Sequence, residues 1–154
     1  MKQDSTLASL AGLGSAALLG GALFFQFVVG LAPCQLCIEQ RWPHLAAFLI
    51  GIVVWFFPRA WVMALGALAA ATSGVLGVFH TGVERGWWEG PTACSGTTDI
   101  STLSPSAALD AIMAAPVVRC TDVAWEMLGL SMASWNAILS ALLVGVWIIA
   151  MRRA

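Results

Sequence analysis

Residues 7–31 read LASLAGLGSAALLGGALFFQFVVGL, and residues 32–41 continue as APCQLCIEQR. The first stretch carries no charged side chain and exceeds the roughly 20 apolar residues that a bilayer-crossing helix needs. The apolar part of a secretory leader is shorter, about 7–15 residues, so Lys2 followed by this run reads as an anchor. Leu31-Ala32-Pro33-Cys34 also ends as a lipoprotein leader does. Pro33, standing where such a site needs a small residue, argues against cleavage. A second apolar stretch starts at Trp42. The Cys34-Gln35-Leu36-Cys37 motif is therefore expected in a short gap between two membrane segments, at the edge of the lipid.

Outward from that gap, four spans are expected, at residues 7–31, 42–57, 60–80 and 132–151. The chain has 154 residues, 60% apolar and 10% charged, against about 25% charged in soluble domains. A soluble fold of this length could not hide so much apolar surface. The expectation is a single all-α integral membrane domain over residues 1–154. It would be a four-transmembrane-helix bundle with a long external loop, residues 81–131, carrying short helical segments. The second span is short; the CxxC segment or local bilayer thinning would make up the difference. Pro43 predicts a first-turn proline or a kink, and Pro58-Arg59 a tight turn into the third span. A net charge of −1 gives no electrostatic basis for nucleic-acid binding.

Charge sets the orientation. Lys2, Arg59, Arg152 and Arg153 sit in short flanks on one side, whereas Arg41, Arg85 and Arg119 are spread over the other. The denser cationic side is expected to be cytoplasmic, with both termini inside and all four cysteines outside. The outside is also where disulfides persist. Tryptophans near span ends (Trp42, Trp55, Trp61, Trp135 and Trp147, with Trp87 and Trp88) fit an interfacial belt; a binding surface at Trp87 and Trp88 is the alternative. Gly12, Ala16 and Gly20, and Gly66, Ala70 and Gly74, recur at four-residue spacing and predict close helix contacts. In the loop, Ser104-Pro105 before Ala107, Leu109, Ile112 and Met113 predicts a capped helix, with Pro116 just beyond. Trp125, Met127, Leu128 and Leu130 predict an apolar patch lying on the membrane surface.

Cys34, Cys37 and Arg41 would share one face of a helix starting near Cys34. A helix N-terminus and a nearby permanent cation both lower a thiol pKa, and the thiolate is the reacting species. Arg41 is otherwise a snorkelling anchor. His80, closing the third span, is either an interfacial imidazole or part of a pocket shared with Arg41. His44 reads as structural, because Pro43 disturbs its register. Zinc is a chemical rival for four cysteines, but Cys94 and Cys120 are too far apart in sequence for the paired short spacings of structural zinc sites. Inert disulfides are the blander reading. A Cys34–Cys37 bridge would close a ring too small to stabilise the fold much, which favours redox work there, by thiol–disulfide exchange.

In their order along the chain, these features resemble the DsbB family, bacterial inner-membrane disulfide bond formation proteins. The resemblance rests on the CxLC followed by Arg41, on His80-Thr81 closing the third span, and on the loop pair Cys94 and Cys120. Leu128-Gly129-Leu130-Ser131-Met132 before Trp135 completes it. It implies a quinone-dependent protein-disulfide oxidoreductase. Such a protein reoxidises a periplasmic DsbA-like thioredoxin-fold oxidase and passes two electrons to membrane quinone, ubiquinone or menaquinone. By position, Cys94 would be attacked by the partner, Cys120 would exchange with Cys34, and Cys37 would remain as the thiolate facing quinone. Arg41 would stabilise that thiolate and the charge developing on the quinone, and His80 would contribute to the quinone site.

Two positions depart from the family prototype. Gln40 stands in place of an acid, and Glu84 in place of an uncharged amide, with possible consequences for quinone choice or proton handling. An enzyme like vitamin K epoxide reductase is the nearest alternative, but there the loop pair precedes the CxxC. A non-catalytic bundle with stapled loops is the alternative from another class.

Overall fold

The computed structural model describes residues 2–91, 103–114 and 118–154. The helices are α1 (Lys2–Phe27), α2 (Gln35–Glu39), α3 (Arg41–Phe56), α4 (Ala60–Glu84), α5 (Pro105–Ala114) and α6 (Met132–Arg153), with short strands β1 (Glu126–Met127) and β2 (Leu130–Ser131). Cys94 and Pro116 lie outside the described residues.

Among the described residues, three helices are long and apolar enough to cross a membrane: Asp4–Phe27, Ala60–Glu84 and Met132–Arg153. At 16 residues, α3 spans only about 24 Å at 1.5 Å per residue, short of a hydrocarbon core about 30 Å thick. The α2 segment precedes it directly, and Gln40 keeps helical backbone angles between the two (φ −66°, ψ −21°). Pro43 accounts for the break. It has no N–H to offer the Glu39 carbonyl, one turn back, and α2 ends at Glu39.

Two helices end about one turn away from the expected span ends. α1 ends at Phe27 rather than near residue 31. The Val28 and Val29 amides both return to the Phe24 carbonyl (2.8 and 3.2 Å), and Gly30 then adopts φ +83°, a left-handed conformation that suits glycine. The chain from there to Pro33 delivers Cys34 to the bundle. α4 continues one turn past His80 to Glu84, which places His80 and Glu84 on one face.

The four long helices close a ring. α4 packs most extensively on α6 and α1 on α3, and the α3–α4 and α1–α6 contacts complete it. Small residues permit the close crossings. A Cβ on Gly12 would lie 2.9 Å from the Gly51 Cα, and the Trp147 ring fills the space beside Gly66. Gly20, expected in the same stripe as Gly12, faces open space. A Gly12→Leu substitution is therefore expected to destabilise the bundle by about 1–3 kcal/mol through overpacking. Gly20→Leu should leave the unfolding midpoint in detergent unchanged. Equal midpoints for the two variants would contradict this packing.

Two buried clusters result. One holds Ala8, Ala11, Val54, Met63, Ala70 and Trp147. The other holds Cys34, Leu36, Val83 and Cys120. In the loop, Ser104 Oγ accepts from the Ala107 amide (3.4 Å) at the start of α5, as its sequence predicts, and Leu109 and Met113 are exposed. The apolar patch after Cys120 is built on a hairpin. Glu126 pairs with Ser131 and Met127 with Leu130, around Leu128 and Gly129 at φ 56° and 75°, a two-residue turn with both central residues left-handed. Trp88 folds back over α4, its Nε1 donating to the Phe79 carbonyl (2.8 Å).

Candidate active site

Pro33 leads into Cys34 in an extended conformation (φ −76°, ψ 172°), and Cys34 caps α2 by accepting from the Cys37 amide with its sulfur. That bond measures 3.3 Å. The three-residue spacing stacks the two side chains, and the Cys34 thiol donates to the Cys37 sulfur across 2.9 Å. Cys34 is buried and Cys37 half-buried, and both are free thiols.

The pair is electrostatically unequal. The hydrogen bond received from Cys34 lowers the Cys37 thiol from its usual range to about 7, helped by the Cys34-capped backbone and the Arg41 charge and opposed by burial and Glu84. The same hydrogen bond, with Cys34 as donor, pushes the Cys34 thiol far up, reinforced by burial. This hydrogen bond favours Cys37 over Cys34 as the site of negative charge in the reduced pair. The sequence suggested the helix start and Arg41 as causes; the neighbouring thiol is the larger one. Arg41 follows the break at Gln40 and lines the same cavity as Cys37. Its Nη1 donates to Gln26 Oε1, and its Nε is buried without a partner among the described residues.

His80 stands on the other side of Cys34. Its Nε2 lies 3.5 Å from the Cys34 sulfur and 3.8 Å from Glu84 Oε1, with both side chains almost fully buried. Glu84 also accepts from Ser131 Oγ. Cys120 is 1% exposed and packs in the same cluster as Cys34. The fold therefore brings Cys34, Cys37, Cys120, His80 and Arg41 to one end of the bundle, and Cys94 lies outside the described residues.

A buried polar network continues inward. Gln40 Nε2 donates to the Leu36 carbonyl (3.0 Å) and meets His80 Nδ1 at 2.9 Å. Asn136 Nδ2 donates to Gln40 Oε1 (2.7 Å) and to the Ser73 carbonyl (3.2 Å). Asn136 Oδ1 accepts from His44 Nε2 (2.8 Å). His44, read as structural from the sequence, belongs to this network. Asn136 and Gln26 were not singled out there. Each is a polar amide inside an apolar span, a costly placement that marks function by default.

A cavity of about 460 Å³ opens beside the network. Leu18, Ala22, Phe25, Trp125, Met132 and Leu139 give it apolar walls, and Cys37, Gln40, Arg41, His44, His80 and Asn136 form its polar side. Phe25 and Trp125 meet with ring centroids 5.1 Å apart. Its size falls within the range of small-molecule sites, as does an apolar wall with a few convergent polar groups. A flat conjugated ring with two carbonyl oxygens and an apolar tail fits this lining. The donor atoms of Cys34, Cys37 and His80 also lie within 4.8 Å of one another. Two sulfurs on one tetrahedral zinc, however, would stand roughly 3.8 Å apart given Zn–S bonds of about 2.3 Å.

The family model described as disulfide bond formation protein DsbB matches residues 4–150. The disulfide bond formation protein B of Verminephrobacter eiseniae (strain EF01-2) is 34% identical over 143 residues, covering 88% of this chain and 78% of the relative. That of Idiomarina loihiensis is 30% identical, covering 87% and 78%. The Haemophilus influenzae (strain 86-028NP) protein of the same name is 28% identical, covering 88% and 78%. No solved structure matches the chain.

Proposed function

The chain belongs to the DsbB family of disulfide bond formation proteins, and on that premise we propose that it is a quinone-dependent thiol oxidase. It would reoxidise a DsbA-like dithiol protein in the periplasm. It would sit in the bacterial inner membrane with four crossings, α3 making the second and α2 lying at its periplasmic edge. Both termini would then be cytoplasmic and the cysteines periplasmic, as the distribution of Lys and Arg indicates. The observation that carries this reading is the placement of Cys37. Its sulfur is the favoured thiolate of the pair, and it lines an apolar cavity that also holds Arg41 and His80.

Each residue has a task consistent with its place. Cys94 and Cys120 form the external pair, and the partner's thiolate attacks Cys94. Cys120 exchanges with Cys34, with which it shares a buried cluster. The Cys120 thiolate attacks Cys34 of a Cys34–Cys37 disulfide, the Cys34–Cys120 bond forms as the Cys34–Cys37 bond breaks, and Cys37 leaves as a thiolate at the cavity. Quinone, when bound, supplies the two-electron acceptor. Arg41 directs an unpartnered Nε–H and a permanent positive charge to this region, where negative charge develops. The apolar walls and the Phe25–Trp125 contact exclude water. The order of the relay follows from access: the loop pair meets a soluble protein, and the CxxC meets the lipid-borne acceptor.

Alkylation of the reduced protein tests the placement. Cys37 is expected to react with a pH midpoint of about 7. Its thiolate is lost as the pH falls through that value, and the rate levels off above it. A soluble ubiquinone analogue should protect Cys37 from the reagent. A midpoint near that of an ordinary thiol, about 8.5, together with no protection, would contradict the proposal.

A further inference from the structure

The buried amide network determines which nitrogen of His80 carries the proton. Gln40 is buried, and its amide orientation is set by carbonyl neighbours. Its Nε2 faces the Leu36 carbonyl at 3.0 Å, so the oxygen is excluded from that side. Its Oε1 receives the Asn136 amide at 2.7 Å, and Asn136 is fixed in turn by the Ser73 carbonyl at 3.2 Å. Turning either amide would set oxygen against oxygen. The group that meets His80 Nδ1 at 2.9 Å is therefore an N–H donor. A proton on Nδ1 would face that N–H directly, so Nδ1 must accept.

We propose that Gln40 is a positioning residue that holds His80 in the tautomer protonated on Nε2, so that His80 serves as a hydrogen-bond donor to the Cys34 sulfur and not as a base. Nε2 lies 3.5 Å from that sulfur and 3.8 Å from Glu84 Oε1. The sulfur, which gains charge during exchange, is within hydrogen-bond reach of the ring, the Cys120 backbone carbonyl also accepts from the ring, and the carboxyl group stands just beyond. Ser131 Oγ donates to the other oxygen of Glu84, which keeps that carboxyl group in place when the N–H turns toward sulfur.

The consequence for the exchange rests on the function proposed above. When an incoming thiolate attacks Cys120 in a Cys34–Cys120 disulfide, a new S–S bond forms at Cys120. The Cys34–Cys120 bond breaks, and Cys34 leaves with the electron pair as a thiolate. No proton needs to move in that step. The Nε2–H, which already stands 3.5 Å from the Cys34 sulfur, turns toward the new thiolate and stabilises the leaving group. A base at Nε2 would set its lone pair against the same sulfur and oppose its departure.

Nitrogen NMR of the full-length protein, labelled in its histidine rings and reduced in detergent, reads the tautomer directly. The expected spectrum shows an unprotonated Nδ1 and a protonated Nε2 for His80 at neutral pH. In Gln40→Glu the carboxylate accepts instead, and the proton appears on Nδ1. A wild-type Nδ1–H signature, or a spectrum unchanged by Gln40→Glu, would overturn the assignment. The donor role is read by alkylating Cys34 in a Cys37→Ser background. His80→Leu should slow the reaction about tenfold, the scale of one lost hydrogen bond to a charged group. His80→Gln, which keeps a side-chain N–H, should restore most of the rate. Equal rates in wild type and His80→Leu would overturn the donor role. Neither readout involves quinone or a protein partner, so failure of quinone turnover would count against the proposed function alone.

Discussion

Serine at Cys120 is expected to reduce oxidation of a protein dithiol to background, a loss of several orders of magnitude typical of removing a covalent participant. Cys120 is almost fully buried, in the cluster that contains Cys34, and a hydroxyl forms no disulfide. The external pair and the CxxC would then be disconnected. The CxxC itself keeps its geometry, because the Cys34–Cys37 contact and the Cys34 cap belong to α2 alone. A small dithiol that reaches Cys34 and Cys37 should therefore still drive quinone reduction in Cys120→Ser. Cys94→Ser should behave the same way from the other side of the relay. Quinone absorbance followed with a reduced protein partner and then with a small dithiol separates the two routes. Normal turnover with the protein partner in either variant would contradict the relay.

Replacing Arg41 with alanine is expected to raise the apparent quinone Michaelis constant or slow quinone reduction by about 10- to 100-fold. That range corresponds to one hydrogen bond to a charged group. The guanidinium lines the cavity, and its positive charge is among the causes that hold the Cys37 thiol down. The alkylation midpoint of Cys37 should accordingly move up in the same variant. The shift should be modest, because the hydrogen bond from Cys34 is the larger cause and persists. Arg41→Lys should recover the charge but not the planar set of donors, giving an intermediate Michaelis constant. A quinone dependence unchanged in Arg41→Ala would remove this residue from the site.

The long helices were legible because lipid demands long uncharged runs, and hydropathy reads such runs directly. The ends were less so. The first apolar run continues to Leu31, yet the helix stops at Phe27; Gly30 was the local sign, and hydropathy does not register it. The break between α2 and α3 was encoded in Pro43, but its cost falls on Glu39, four residues earlier, where the sequence looks helical. Helices that are apolar on nearly every side give little sign of which face meets a neighbour. Gly20 therefore looked equivalent to Gly12 and is not.

The thiol chemistry was legible because the two-residue spacing in CxxC fixes Cys34 and Cys37 together locally. His80 and Arg41 were legible as ionisable groups at one depth. The network that links them was not, because its central pair, Gln40 and Asn136, is joined only by the tertiary fold. Glu84 stood out in the sequence as a departure. Only the extra turn of α4 brings its carboxyl to 3.8 Å from His80 Nε2 and within reach of the Ser131 hydroxyl, from which it accepts a hydrogen bond.

Quinone reduction by the purified protein tests the central claim most directly. The protein would be supplied with a reduced DsbA-like dithiol protein and a soluble ubiquinone analogue, and quinone absorbance followed. The account predicts catalytic loss of absorbance that disappears in Cys37→Ser. Absence of turnover with a competent partner and several quinones, or turnover that survives Cys37→Ser, would contradict it.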